Sequence, residues 1–283
     1  MKKVLVFGGT RFFGKKLVKA LIDNGHDVTI ATRGITKDNF SDKVKRVIVD
    51  RDDENALMEA FRDKSYDVIY DNICYSPNAA KYACNVFNDN VNKYIFTSTL
   101  SVYDAGLNLK EENFDPYGYK IKYGKRDDFD YGEGKRLAEA VFFQEAPFQV
   151  VAVRFPVVIG EEDYTNRLIS YSDNICKGEA FYVDNLDSTM SFISSQEAGE
   201  FLHWISTKDF QGPINACCNG TIKIKEIIKL CEEKYNKKWI SAEDNSEKAG
   251  AFNGFYKFTL ENKKAREMGF RFKNVFEETK KLI

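Results

Sequence analysis

The sequence predicts an α/β fold, a doubly wound parallel sheet with a smaller, partly interleaved C-terminal lobe. Three observations carry this expectation. Short apolar runs rich in Val and Ile recur at Lys3 to Phe7, Asp27 to Ala31, Val44 to Asp50, Val68 to Asn72, Tyr94 to Ser98 and Gln149 to Arg154. Runs that are apolar on both faces suit parallel strands covered by helices, and the stretches between them are long enough for parallel crossovers. After Gly160 the alternation becomes less regular, which marks the start of the second lobe.

Taken in order, the first run leads to a helix in which Leu17, Val18, Leu21 and Ile22 share one face, and Asn24-Gly25 supplies a left-handed exit into the second run. The first unit is therefore strand, helix, strand. The remaining runs continue the same rhythm to Arg154. Beyond Gly160, helices are expected over 165–177, 195–207 and 223–234. The five prolines, Pro77, Pro116, Pro147, Pro156 and Pro213, are scattered, and no Ser/Gly-rich linker separates the halves. Residues 1–160 are thus expected to form one domain and residues 161–283 mainly a second lobe, with some of its segments returning to the first.

The 283 residues include 42 Lys plus Arg against 43 Asp plus Glu, so the whole chain has no basic field to gather nucleic acid or an anionic membrane. The apolar run Val4 to Phe7 stops at Gly8-Gly9, too early for a signal peptide or membrane span, and a cytoplasmic protein is expected. Six cysteines form no CxxC pair, and the two histidines, His26 and His203, stand in no metal-ligand pattern. Neither a disulfide framework nor a metal site is expected.

The segment after the first run, Gly8-Gly9-Thr10-Arg11-Phe12-Phe13-Gly14, opens the first helix. There a dinucleotide pyrophosphate can meet helix-end N–H groups, and glycines let the backbone come close. The pattern alone is only a tight turn; its βαβ setting makes it a cofactor site. Arg11 stands where such turns usually have their middle glycine, and offers a cationic fork to phosphate oxygens. About 20 residues further on, an NAD site places an acidic residue on the ribose 2′-hydroxyl. Thr32-Arg33 stand there instead, a hydroxyl and a guanidinium that suit a 2′-phosphate, so NADP is favoured over NAD.

Tyr131-Gly132-Glu133-Gly134-Lys135 places a phenol and an ammonium four residues apart on one helix face. A phenol with a pKa of about 10 must lose roughly three units to act as a base near neutrality, and a close cation together with an oxidised nicotinamide can supply that. Lys135 is expected to be that cation. The fifth run ends in Thr97-Ser98-Thr99-Leu100-Ser101-Val102-Tyr103, hydroxyls at the carboxyl end of a strand, where open α/β sheets bind ligands. Thr99 is the expected substrate-facing hydroxyl.

In its glycine turn, its Ser/Thr-x-x-Val-Tyr strand end and its Tyr-x-x-x-Lys, the chain resembles the extended short-chain dehydrogenase/reductase family, the epimerase/dehydratase group. The resemblance continues through Arg154 to Gly160 and Ser191-Phe192-Ile193. It implies a Rossmann fold, a small-molecule substrate and a homodimer. It also assigns Asp50, followed by Arg51, to the adenine contact and Asn72 to the cofactor edge. Sugar-nucleotide 4,6-dehydratases are less similar, because they carry an Asp-Glu pair where Leu100-Ser101 stand here.

The function implied is NAD(P)-dependent hydride transfer to or from a secondary alcohol or ketone, such as a nucleotide sugar. Tyr131 would exchange the hydroxyl proton, Thr99 bind the same oxygen, and Lys135 hold the ribose. Gly-Gly-Thr-Arg-Phe-x-Gly with Tyr-Gly-x-Gly-Lys also resembles the atypical branch that includes chloroplast stem-loop RNA-binding proteins. The alternative is therefore a non-catalytic nucleotide- or RNA-binding protein on the same fold. No GxSxG elbow or partnered histidine suggests a hydrolase.

Overall fold

The computed structural model describes residues 1–88, 90–243 and 248–283. Its first part runs β1 (Lys3–Phe7), α1 (Phe12–Asp23), β2 (Asp27–Thr32), β3 (Lys45–Ile48), α2 (Glu54–Phe61), β4 (Tyr66–Asp71), α3 (Pro77–Val86), β5 (Val91–Thr99), β6 (Gly106–Leu109), α4 (Tyr131–Glu145) and β7 (Gln149–Phe155). There follow β8 (Val157–Ile159), α5 (Arg167–Lys177), β9 (Thr189–Met190), β10 (Phe192–Ser194), α6 (Ser195–Ser206), β11 (Gly212–Asn215), β12 (Ile222–Lys223), α7 (Ile224–Tyr235), β13 (Lys257–Leu260), α8 (Lys263–Glu267) and α9 (Val275–Leu282).

Among the described residues, the main sheet has the order β11-β7-β5-β4-β1-β2-β3, and its neighbouring strands pair in parallel. Strand side chains alternate between the two faces, so β1 sends Val4 and Val6 into one core with α1 and α6, and Leu5 and Phe7 into the other with α2, α3 and α4. Both faces are thus covered, as the two-sided apolar runs require. β3 is the exception. It is the sheet edge, and Lys45, Arg46 and Ile48 are exposed, which shortens the expected 44–50 run to four residues. Gly25 has φ +72, the left-handed exit expected after α1.

A second sheet, β12-β9-β13-β6, and the parallel pair β8–β10 build the smaller lobe, with its own core of Leu168, Tyr171, Phe181, Phe192, Ile227 and Phe252 among others. Chain crosses between the lobes in both directions. β6 leaves the first part to join the second sheet, while α6 and β11 return to the main sheet. These pairings span long sequence separations, and their short strands carry too little periodicity to be recognised in the sequence.

The six cysteines are free, five of them buried and Cys176 exposed. Among the described residues, no helix is long and apolar enough to cross a membrane, and no group of three or more His, Cys, Asp or Glu side chains is placed to hold a metal ion.

Candidate functional site

The carboxyl ends of β1, β2 and β4 open onto a cavity of about 400 Å³, lined by Gly8, Thr10 to Gly14, Thr32, Arg33, Asp50, Arg51 and Asn72. The glycine turn forms its floor. Gly8 has φ +76, and a Cβ there would lie 2.6 Å from Ile73 Cγ2. A Cβ on Gly14 would lie 2.2 Å from the Gly8 carbonyl oxygen, so the turn closes only with glycine at both positions. Gly9 faces inward, where a Cβ would meet Val18 at 2.8 Å; it serves helix–strand packing and does not line the cavity.

The N-cap of α1 is Arg11, which makes no side-chain cap hydrogen bond, whereas Asp53, Ser76 and Asp130 cap α2, α3 and α4. The first N–H groups of α1 are left for an anion at the positive end of the helix. Phe12 follows at φ 46, left-handed backbone that a bulky side chain rarely adopts, so strain is stored directly beside the cavity.

On the rim, Arg11 Nε donates to Thr36 Oγ1 at 2.9 Å. Arg11 and Thr36 line the cavity together with Thr32 and the exposed Arg33. Thr32 Oγ1 accepts the Gly34 N–H at 3.2 Å, which shapes the turn after β2.

Asp50 is exposed and lines the cavity, and the neighbouring Arg51 lines it too, although its guanidinium is anchored inward. Its side chain is 3% exposed and turns inward, with Nε donating to Asp71 Oδ2 at 2.8 Å and Nη1 to the Ala79 carbonyl at 2.7 Å. Nη2 lies 2.7 Å from Asp71, close enough to pair in charge but without an aligned hydrogen bond. Burial opposes the Arg51 charge, yet the Asp71 carboxylate outweighs it and holds the guanidinium well above its ordinary pKa. A buried carboxylate captures the arginine because an unpaired charge there costs several kcal/mol. Asn72 reaches Gly8 O from Nδ2 at 3.5 Å and accepts from Thr97 Oγ1 at 2.7 Å, tying β1, β4 and β5 together beneath the cavity.

Tyr131 is the first residue of α4, and Asp130 caps the helix by accepting the Glu133 N–H at 2.8 Å. The glycines between Tyr131 and Lys135 allow two close approaches. A Cβ on Gly132 would lie 2.7 Å from Ser101 O, and one on Gly134 would lie 2.6 Å from Tyr75 O. The helix is thereby pressed against the end of β5 on one side and the turn after β4 on the other. The Tyr131 phenol is close enough to the Thr99 hydroxyl for that group to favour its ionised form, and Thr99 Oγ1 also accepts the Ser101 N–H at 3.2 Å. These two expected site residues therefore meet.

Lys135 lies deeper. It is 1% exposed, and its Nζ donates to the Cys74 and Thr97 carbonyls, each at 2.7 Å. The Tyr75 and Phe96 rings flank it, both with centroids 4.6 Å away. Burial lowers its pKa to about 8. Although 52% of Tyr131 is open to solvent, desolvation raises its phenol pKa above the ordinary value, outweighing the Thr99 hydroxyl and the charges of Arg167 and Arg126.

Tyr75, Arg126 and Tyr164 also line the cavity and were not expected there. Tyr75 lies just past the carboxyl end of β4, a position that strand-end reasoning could have flagged. Arg126 opens a short 3-10 turn, 126–128, and Tyr164 lies in the connection between β8 and α5; no sequence pattern marks either.

A parallel α/β sheet with a glycine turn opening its first helix, and a Tyr-x-x-x-Lys helix against the end of its fifth strand, defines a Rossmann protein of the short-chain dehydrogenase/reductase class. The chain belongs to the NAD dependent epimerase/dehydratase family, whose model matches residues 4–217. Its fold is similar to that of a UDP-glucose 4-epimerase from Thermotoga maritima, solved with UDP-glucose, at TM-score 0.79 and 18% identity over 99% of this chain and 96% of that one. It is also similar to a UDP-glucose 4-epimerase from Thermus thermophilus in complex with NAD, at TM-score 0.72 and 17% identity over 99% and 98% of the two chains. Identities this low establish the fold alone. A stretch of 83 residues is 36% identical to the chloroplast stem-loop binding protein of 41 kDa b from Arabidopsis thaliana, spanning 25% of this chain and 22% of that relative.

Proposed function

We propose that this protein is an NAD(P)-dependent oxidoreductase or epimerase acting by hydride transfer on a secondary alcohol or ketone of a nucleotide sugar. The observation that carries the reading is that a glycine-floored, uncapped helix end and the neighbouring Tyr131 and Thr99 side chains all lie toward the carboxyl ends of one parallel sheet. The cavity suits the adenosine and pyrophosphate half of a dinucleotide. Gly8 and Gly14 allow close approach of a pyrophosphate, and Arg11 to Gly14 would hold it. Asp50 and Asn72 would meet the adenosine half and the cofactor edge. A bound nicotinamide would accept or return hydride.

The protein's own groups do the rest. Tyr131 exchanges the substrate hydroxyl proton through its phenol oxygen, and Thr99 hydrogen-bonds the same substrate oxygen. Lys135, through the proton of Nζ left over from its two carbonyl bonds, holds the ribose. A keto product retained and turned gives epimerisation; one released gives net oxidation or reduction. The solved structures with UDP-glucose or NAD support a nucleotide sugar as substrate.

The cofactor is NADP in preference to NAD; this is supported by Thr32 and the exposed Arg33 in the cavity lining and by a β2 that ends without a carboxylate. The reading also includes two lobes divided near residue 160, a cytoplasmic location and a homodimer. Titration with NADPH and with NADH, followed by the fluorescence of the reduced ring, tests it. Binding of neither would overturn it. The Arabidopsis relative favours a second reading, a nucleotide- or RNA-binding protein without turnover, in which Tyr131→Phe would change no activity and RNA affinity would fall steeply with salt.

A further inference from the structure

The cavity and the Tyr131–Lys135 helix adjoin at Tyr75. Tyr75, Arg126 and Tyr164 are among the lining residues, whereas Thr99, Tyr131 and Lys135 are not. Tyr75 occupies the boundary. Its ring lies 6.2 Å from the Tyr131 ring, centroid to centroid. Lys135 Nζ is 4.6 Å from the Tyr75 centroid and Arg126 Cζ is 4.4 Å from it, so two cations engage one ring. With two carbonyls, Tyr75 and Phe96 around it, the Lys135 ammonium has no open side for a ribose.

We propose that Tyr75 is a side-chain gate between the dinucleotide cavity and the Tyr131–Thr99 pair, held shut by its contacts with Lys135 and Arg126. The inference rests on the reading that a dinucleotide binds in this cavity. The nicotinamide half reaches Tyr131, and the ribose reaches Lys135, only after the Tyr75 ring rotates away.

The backbone cannot supply this movement by retreating toward α4. The Tyr75 carbonyl is packed so closely on the helix that a Cβ at Gly134 would stand 2.6 Å from its oxygen. Directly after Tyr75, Ser76 is buried and caps α3 by accepting the Ala79 N–H at 3.2 Å. Directly before it, the Cys74 carbonyl is held by Lys135. The turn is pinned at both ends, and the free coordinate is rotation about the side-chain bonds. Arg126 is exposed and is in no ion pair among the described residues, so it can leave the outer face of the ring.

The gate predicts a first-order step after the adenosine half docks. Stopped-flow mixing of the full-length protein with NADPH or NADH should show a rate that levels off at high dinucleotide concentration. Tyr75→Ala should abolish the plateau, and Tyr75→Phe should keep it, because the ring face and not the hydroxyl is clamped. Arg126→Gln should raise the plateau rate about threefold, the size of one exposed cation–π contact. ADP-ribose fragments lacking nicotinamide and its ribose, such as ADP, should bind wild type and Tyr75→Ala alike.

An unchanged plateau in Tyr75→Ala, with dinucleotide still bound, overturns the gate and leaves the functional reading standing. Loss of the plateau in Tyr75→Phe as well also overturns the clamped-face account. Failure of every variant and wild type to bind either dinucleotide overturns the functional reading and the gate with it.

Discussion

Replacing Glu139 by Gln tests what holds the Tyr131–Lys135 helix in place. Glu139 lies one helical turn beyond Lys135, is fully buried, and receives Arg154 Nη2 at 2.6 Å and Nε at 3.0 Å. Ser98, next to Thr99, donates to the same carboxylate. Arg154 is also fully buried; burial opposes its charge, but Glu139 outweighs that and raises its pKa. Removing one partner of such a pair strands the other charge and costs about 3–5 kcal/mol. Arg154 keeps the Tyr103 hydroxyl at 2.9 Å and the Glu111 and Phe114 carbonyls at 2.8 and 3.2 Å, which places the loss at the lower end, about 3 kcal/mol.

For a chain of this size that loss corresponds to a fall of about 6–12 °C in melting temperature. Urea unfolding at pH 7 should show an earlier midpoint with an unchanged slope. Exchanging both partners for apolar groups, Glu139→Leu with Arg154→Met, should recover most of the loss, because no charge is then stranded. A single-variant loss below about 1 kcal/mol, the range of an exposed pair, would refute the reasoning. So would a double variant no more stable than Glu139→Gln.

Other outcomes follow from the same geometry. Tyr131→Phe should remove turnover of the nucleotide sugar while leaving dinucleotide affinity nearly intact; steady-state rates and binding titrations separate the two. Arg33→Ala should weaken NADPH by about tenfold or more, the scale of a charge-assisted contact, and NADH hardly at all; equal losses would mean Arg33 does not read a 2′-phosphate. Gly14→Ala should abolish dinucleotide binding without unfolding the protein, as circular dichroism would report, because the new Cβ would stand 2.2 Å from Gly8 O.

Lys135 has a folded pKa lowered to about 8 by burial, so the folded state releases a proton that the unfolded chain still holds up to about pH 10. Stability should therefore rise with pH between about 8 and 10, by roughly 2–3 kcal/mol. Lys135→Met should flatten that rise in denaturant titrations, and a slope identical to wild type would contradict the assignment.

The sequence by itself determined six of the seven described strands of the main sheet, missing β11, together with most of the helices, the glycine turn and the four-residue spacing of Tyr131 and Lys135. These are local matters, set by side-chain periodicity, by backbone conformations open to glycine, and by the pitch of a helix. Only the tertiary structure decided where the charged side chains point. Arg51 lines the cavity beside Asp50, and its guanidinium is anchored in the core by Asp71, 20 positions away. Lys135 stands one turn from Tyr131, and its ammonium is bound by the carbonyls of Cys74 and Thr97, 61 and 38 positions away. Tyr75, Arg126 and Lys135 come from three distant segments and meet at one ring. A buried charge goes to whichever partner lowers its desolvation cost most, and that partner is chosen by packing across the fold, at separations no local pattern records.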